Sequence, residues 1–285
     1  MTGSILKDSD YIQLTKTLLK HTGIDLSNYK AQQMRRRLDG LIESLGHKNV
    51  REFCDSLSRN PDVLARVKTF LTINVSEFFR DSSQFAVLKS HVLPGLLGPR
   101  GRRLSIWSAG CSHGAEAYSL ALILEDLTPN IKHRIVGTDI DQKILERARR
   151  GGPFSTSEVK NVGPTLVNKF FEPVGNGYVA TKPLRDRVTF KHQDLLKDRF
   201  DTGFDLILCR NVVIYFTDEA KKRLNHRFYE ALKPGGILFI GGTEALLDAG
   251  EYGFERLYPA FYKKSETTTV RSTLAAAPNR SSVIR

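Results

Sequence analysis

The stretch Leu104–Tyr118, LSIWSAGCSHGAEAY, passes from an apolar segment through small residues into a helix-like pattern that carries an acid at Glu116. A buried strand ending at Trp107, followed by a turn with Gly110 and Gly114, lets the backbone approach a ligand with no Cβ in the way. The spacing departs from Gly-x-Gly-x-x-Gly, and a lone Gly-x-x-x-Gly turn serves as well to pack a helix on a strand. A second acid bears on the choice. His133–Asp139, HRIVGTD, is a β-branched run that stops on Asp139. An acid at the end of a second parallel strand, beside the glycine turn, can accept both hydroxyls of a ribose. It could instead cap the next helix, although Asp141 is better spaced for that. A third segment, Phe204–Cys209 (FDLILC), is apolar throughout and is followed at once by Arg210 and Asn211, then Val212–Phe216. Together these three segments point to a nucleotide-like cofactor site.

Such a site needs its turns at the ends of neighbouring strands. From Leu104 onward the chain alternates strand and helix, with an amphipathic helix at Ile140–Arg149 and another from Asp218 to Leu232. The turn Lys233–Gly236, the strand Ile237–Ile240 and a close pair at Phe254–Leu257 and Ala260–Lys263 complete the series. This alternation predicts a mostly parallel sheet covered on both faces, with an antiparallel edge at the end. Residues 150–186 interrupt it. Within them Phe170–Val174 and Tyr178–Thr181 flank Gly175-Asn-Gly177, a hairpin in which Asn-Gly supplies the positive φ of a tight turn.

The first 72 residues read as a helical unit with helices at Ser9–His21, Asn28–Leu45, Val50–Leu57 and Pro61–Ile73. Ile12, Leu14, Leu18 and Leu19 of the first, and Met34, Leu38, Leu41, Ile42 and Leu45 of the second, are assigned to its core. Asn28 is placed as the cap of the second helix, and Pro61 in the first turn of the fourth. The division read from these patterns is a helical domain 1–73, a linker and connecting helix 74–98, and an α/β domain 99–264 with its insertion at about 150–186. The tail 265–285, rich in Ser, Thr and Ala, is read as disordered.

The chain has 285 residues and is 40% hydrophobic, which suits a globular protein with one large and one small domain. No run approaches the ~18 apolar residues of a membrane span, and MTGSILKDSD has no signal-peptide core, so a cytoplasmic protein is expected. Cys54, Cys111 and Cys209 form no Cys-x-x-Cys pair; no metal site is expected, and the three are read as core thiols. The net charge of +12 invites a nucleic-acid reading. Yet the charge is scattered, and its densest cluster, Arg35-Arg36-Arg37, lies on an N-terminal helix. A solvated helix face or an acidic protein partner accounts for it equally well.

Asn74–Arg80 (NVSEFFR), Trp107–Ser119 (WSAGCSHGAEAYS), Gly137–Asp141 (GTDID), Asp205–Phe216 (DLILCRNVVIYF) and Leu232–Gly236 (LKPGG) occur in an order and spacing that resemble the chemotaxis receptor glutamate methyltransferases of the CheR type. The likeness covers about residues 8–264. His113 departs from it where a small hydroxyl residue is usual, and Ala115 where an acid is common. The resemblance implies a class I methyltransferase-like doubly wound α/β sheet with a small antiparallel β insertion, preceded by an all-α N-terminal domain. It also implies S-adenosyl-L-methionine as cofactor, S-adenosyl-L-homocysteine as product, and glutamate side chains of chemoreceptor cytoplasmic helices as substrate.

Carried over position by position, the resemblance gives Asn74, Ser76, Arg80, Gly110, Glu116, Asp139, Asp194, Leu195, Arg210 and Asn211 to the cofactor. Asp194 would reach the adenine amino group, with the Leu195 backbone beside it. Arg80 and Tyr215 would lie at the methyl, while Phe78 and Phe79 would pack. Lys30, Arg35, Arg36 and Arg37 match the first half of a basic helix that faces acidic receptor helices; Asp39, Gly40 and Glu43 depart from its second half. The insertion's hairpin is short, resembling members that bind no receptor C-terminal peptide there. His113 and His192 are lone histidines near turns, more often structural than catalytic. A monomer is expected. Two alternatives stay open: a methyltransferase of the same build acting on nucleic acid, and a cofactor-binding signalling adaptor.

Overall fold

The computed structural model describes residues 6–246 and 248–266. The chain opens with α1 (Asp8–Thr22), α2 (Ala31–Ser44), α3 (Val50–Arg59) and α4 (Pro61–Thr72). Local chemistry sets their ends. Gly23 stops α1 in the left-handed region, the Asn49 side chain accepts the Glu52 amide at the start of α3, and Asn60 caps α4 with Pro61 in its first turn. Leu14, Leu18, Met34, Leu38, Phe53, Leu57, Val67 and Leu71 form the core of this unit.

Two expectations about these helices are corrected. Ile12 and Leu19 are 54% and 40% exposed, because at 3.6 residues per turn the stripe through Leu14 and Leu18 leaves them on the flank. Asn28 does not cap α2. It ends a single turn of 3₁₀ helix, Leu26–Asn28, and its Oδ1 accepts Arg223 at 2.6 Å, while Lys30 holds the cap position with no side-chain bond.

A helical segment over 82–97 leads into the α/β unit. Its strands are β1 (Ser105–Ala109), β2 (Arg134–Asp139), β3 (Phe154–Ser155), β4 (Phe171–Val174), β5 (Gly177–Ala180), β6 (Val188–His192), β7 (Phe204–Cys209), β8 (Leu232–Ile240), β9 (Phe254–Tyr258) and β10 (Phe261–Lys264). Seven make one sheet in the order β6-β2-β1-β7-β8-β10-β9, parallel from β6 to β8 and antiparallel at β10 and β9. The parallel strands read as apolar runs because helices, among them Ala115–Leu127, Gln142–Arg150 and Asp218–Ala231, cover them. Strand order reverses between β1 and β7, and a crevice opens at the carboxyl ends of strands at such a point.

Several boundaries move. β1 runs two residues past Trp107, and β8 begins at Leu232, before the expected Lys233–Gly236 turn, with an irregularity in its pairing to β7. The inserted sheet has three strands, ordered β3-β5-β4, where the hairpin alone was expected. Its turn is Gly175-Asn176, and the positive φ falls on Gly175 at 55°, as a hairpin with glycine in the first turn position requires. Gly177 is glycine for another reason: a Cβ there would lie 2.3 Å from the Phe154 carbonyl oxygen of β3.

Ser265, assigned to the disordered tail, donates through amide and hydroxyl to the Gly253 carbonyl, and Glu266 pairs with Lys263. The rest of that tail, 267–285, lies outside the described residues. Cys54, Cys111 and Cys209 are buried free thiols. Among the described residues no helix is long and apolar enough to cross a membrane.

Candidate active site

One cleft gathers the residues singled out for cofactor chemistry. Asn74, Ser76 and Arg80 enter it from the linker, Gly110 from the turn after β1, and Glu116 from the first turn of the next helix. Asp139 ends β2, Asp194 and Leu195 follow β6, and Arg210, Asn211 and Tyr215 follow β7. The open volume is about 990 Å³, solvent at the mouth included.

Asp139 is buried at the heart of this cleft. Burial pushes its carboxyl up, while the amides of Asp141 and Ser112, donating at 3.0 and 2.8 Å, pull the other way. Each oxygen accepts one of these bonds and keeps capacity for another. The helix-cap alternative for Asp139 is excluded, because Asp141 accepts the Lys143 and Ile144 amides that open Gln142–Arg150. Asp141 also receives Asn74 Nδ2 at 2.7 Å and Thr72 at 3.1 Å, which fastens the linker to the second strand–helix turn. Asn74 Oδ1 is left buried without a partner.

Arg210 borders the cleft, but its two terminal nitrogens are taken by protein acceptors. Its side chain is 1% exposed; it donates to Glu116 at 3.2 Å and, at 2.8 Å each, to the Arg80 carbonyl and Asp81. Phe85 and Phe239 cover its guanidinium. Arg210 therefore ties the linker to Glu116, whose other oxygen accepts the Ser108 hydroxyl at 2.7 Å. Arg80 is different: one nitrogen donates to the Val75 carbonyl at 3.0 Å, and its other donors have no partner among the described residues.

Packing requires both glycines of the turn. Gly110 holds φ at 76°, and a Cβ there would meet Val212 at 2.5 Å; at Gly114 it would meet Phe190 at 2.7 Å. Gly114 does not border the cleft. Leu195 is buried, and Asp194 accepts the Leu196 amide at 2.9 Å.

Tyr215 borders a second cavity as well, a groove walled by Gln32, Gln33, Arg36, Arg37 and Ile214. Of the α2 cations, Arg36 is exposed and has no partner among the described residues. Arg37 donates to the Phe70 carbonyl at 2.6 Å and stacks over Phe70 and Tyr215; burial lowers its pKa. Two basic residues are not brought to the groove. Arg35 turns back to Asp8 at 2.6 Å and over Tyr11, and Lys30 approaches Tyr215 through its amide rather than its ammonium group.

The histidines stay out of the cleft. His113 is buried with Nε2 3.0 Å from the Ser76 carbonyl and 3.1 Å from Glu158 Oε1, and His192 is exposed at the edge strand. Phe78 is fully buried against Phe154 and Phe171, and Phe79 meets Phe85 edge-on.

Glu244 and Tyr29 are among the residues at the site that the sequence motifs do not mark. Glu244, just past β8, accepts the Gly241 amide at 2.6 Å and the Asn211 amide at 3.2 Å, and so holds the start of the Tyr215 loop. A looser form of the signal that selected Asp139, an acid following an apolar strand, would have found it. Tyr29 borders the cleft from the helical unit, and no local pattern marks it.

Carboxylates at Asp139 and Asp194, unpaired donors on Arg80 and the buried, partnerless Asn74 oxygen fit a ligand that offers a diol, an amine and a carboxylate. S-adenosylmethionine carries all three.

Comparison with known proteins gives the same picture. Residues 74–257 match the family model described as "CheR methyltransferase, SAM binding domain", and residues 9–72 match "CheR methyltransferase, all-alpha domain". A chemotaxis protein methyltransferase of Listeria monocytogenes is 36% identical over 90% of this chain and 98% of its own length. Chemotaxis protein methyltransferase 1 of Pseudomonas aeruginosa is 35% identical over 84% of this chain and 91% of its own. The chemotaxis protein methyltransferase of Borreliella burgdorferi is 32% identical over 92% and 96%.

Proposed function

The chain belongs to the CheR methyltransferase family, and from that premise we propose that it methylates glutamate side chains in the cytoplasmic helices of chemoreceptors, giving glutamate 5-O-methyl esters in the cytoplasm. The observation that carries this reading is the place of Tyr215, in the wall of both the cleft and the basic groove. A donor in the cleft and an acidic helix along Arg36 meet at that residue.

S-adenosylmethionine, when bound, supplies a methyl group already activated on a sulfonium. The protein's part is then to bind and align. Asp139 takes the ribose hydroxyls and Asp194 the adenine amino group, with the Leu195 backbone beside it. Asn74 and Ser76 close the linker side, and Glu116, held by Arg210 and Ser108, shapes the floor with Gly110 and Asn211. Arg80, whose guanidinium keeps donors beyond the one given to the Val75 carbonyl, holds a carboxylate at the reacting end.

A glutamate side chain has an ordinary pKa of about 4.3 and arrives ionised at neutral pH, so no general base is called for. Positioning alone can lower such a barrier by roughly 7–11 kcal/mol. Tyr215 walls the place where carboxylate and methyl meet. Arg36 draws the acidic helix, and Arg37 holds the Tyr215 ring.

The experiment is transfer of labelled methyl from S-adenosylmethionine to a chemoreceptor cytoplasmic fragment, read as volatile methanol after mild alkali. Alkali-labile label that disappears in Asp139→Ala is the expected result. Label that survives alkali would move the substrate to nucleic acid or another acceptor. Cofactor binding with no transfer would favour a signalling adaptor.

A further inference from the structure

One wall of the cofactor cleft belongs to the helical N-terminal unit, and Tyr29 stands in it beside Leu71 and Thr72 of α4. Its side chain borders the cleft together with Asp139 and Asp194. Tyr29 makes an antiparallel bridge to Phe216, and the two rings meet edge to face at 5.1 Å. On either side of it the backbone is tied to the loop that carries Tyr215: the Asn28 carbonyl accepts the Thr217 amide, and the Lys30 amide donates to the Tyr215 carbonyl, both at 2.9 Å. The Tyr29 hydroxyl has no hydrogen-bond partner among the described residues.

Burial, followed by the charges of Asp194 and Asp139, raises the Tyr29 pKa, so the phenol keeps its proton. Carboxylates can only accept, and they serve the amine and hydroxyls of a nucleoside. Its ring nitrogens and ether oxygen need a donor. A protonated phenol set in the same wall is such a donor, and its ring offers apolar cover as well.

We propose that Tyr29 is a cofactor-contacting residue contributed by the helical unit, and that through the flanking hydrogen bonds to Thr217 and Tyr215 cofactor occupancy and the shape of the substrate groove are linked. This rests on the cofactor reading of the cleft given above. Linkage is reciprocal: if cofactor tightens binding of the acidic helix, the helix tightens binding of cofactor by the same factor.

The test is calorimetric titration of S-adenosylhomocysteine into the full chain and into Tyr29→Phe, Tyr29→Leu and Asp139→Ala, with the melting temperature of each unliganded protein. Tyr29→Phe keeps the ring and removes one hydrogen bond. It is expected to weaken binding about threefold to tenfold with an unchanged melting temperature, and Tyr29→Leu to weaken it further. A chemoreceptor fragment should bind the loaded wild type more tightly than the unloaded one, and bind loaded and unloaded Tyr29→Leu alike. Wild-type affinity in both Tyr29 variants, with Asp139→Ala weakened, overturns the contact and leaves the cleft reading standing. Wild-type affinity in all three variants overturns the cleft reading itself. Equal fragment affinity with and without cofactor in the wild type overturns the linkage.

Discussion

The guanidinium carbon of Arg37 lies 5.6 Å from the centre of the Tyr215 ring. Because the same guanidinium also donates to the Phe70 carbonyl, the ring that borders the cleft is braced from α2 and α4. The helical unit thus helps to hold a wall of the cleft.

Arg37→Lys keeps the charge but loses the planar stack and the fixed fork. It is expected to lower kcat about fivefold to tenfold while leaving S-adenosylhomocysteine affinity unchanged. Arg36→Glu, on the exposed rim of the groove, should raise the KM for a receptor fragment at unchanged kcat. Steady-state kinetics on both variants separate the two roles, and equal effects on both parameters would reject the assignment.

Arg210 is a buried cation with three acceptors. Removing one member of a buried ion pair typically costs about 3–5 kcal/mol. Arg210→Met should therefore lower the denaturant midpoint sharply and expose the linker around Arg80 and Asp81 to proteolysis. A variant as stable as the wild type would show that the bracket holds nothing together.

Gly110 is required by packing and by backbone alike. Gly110→Ala places a methyl 2.5 Å from Val212 at a positive φ, and should destabilise the fold by about 1–3 kcal/mol, read as a lower melting temperature. Gly40→Ala, where a Cβ meets nothing within 4 Å and α2 is undisturbed, is the control and should be neutral or slightly stabilising.

The Glu158 carboxyl is held at about 2 against an ordinary value of 4.5. Burial works to raise it, and the bond from His113, the Ser155 amide and Arg147 together overcome that. A carboxylate with a depressed native pKa lends stability that is fully present above about 4.5 and is lost as pH falls toward 2. Glu158→Gln should thus be less stable than wild type by about 1–3 kcal/mol at pH 7, with the gap closing below pH 4.5. Urea titrations at pH 7, 4 and 3 would show it, and a gap that widens in acid would contradict it.

Much of the site could be read from the chain because each parallel strand announces itself as an apolar run and its first polar residue marks the carboxyl end. Asp139, Arg210 and Asn211 stand at such ends, and Glu116 stands in the first turn of the following helix. Glu244 obeys only a looser form of this rule, an acid four residues past β8 after Gly241, Gly242 and Thr243. Tyr29 obeys none, since a tyrosine between a one-turn helix and α2 looks like any loop aromatic until Phe216 is beside it.

The sequence by itself determined the family, the doubly wound sheet, the helical unit before it and the segments that make the cleft, because strand and helix periodicity and the order of the motifs are local properties of the chain. Only the tertiary structure decided how side chains of the right type are spent. It turned the Arg210 guanidinium to Glu116 and Asp81, sent Arg35 back to Asp8, kept Gly114 for Phe190 and brought Tyr29 to the wall of the cleft. The reason is that charge and hydrogen-bond capacity are satisfied by whichever group packing brings within reach, and such groups lie up to 195 residues away in the chain.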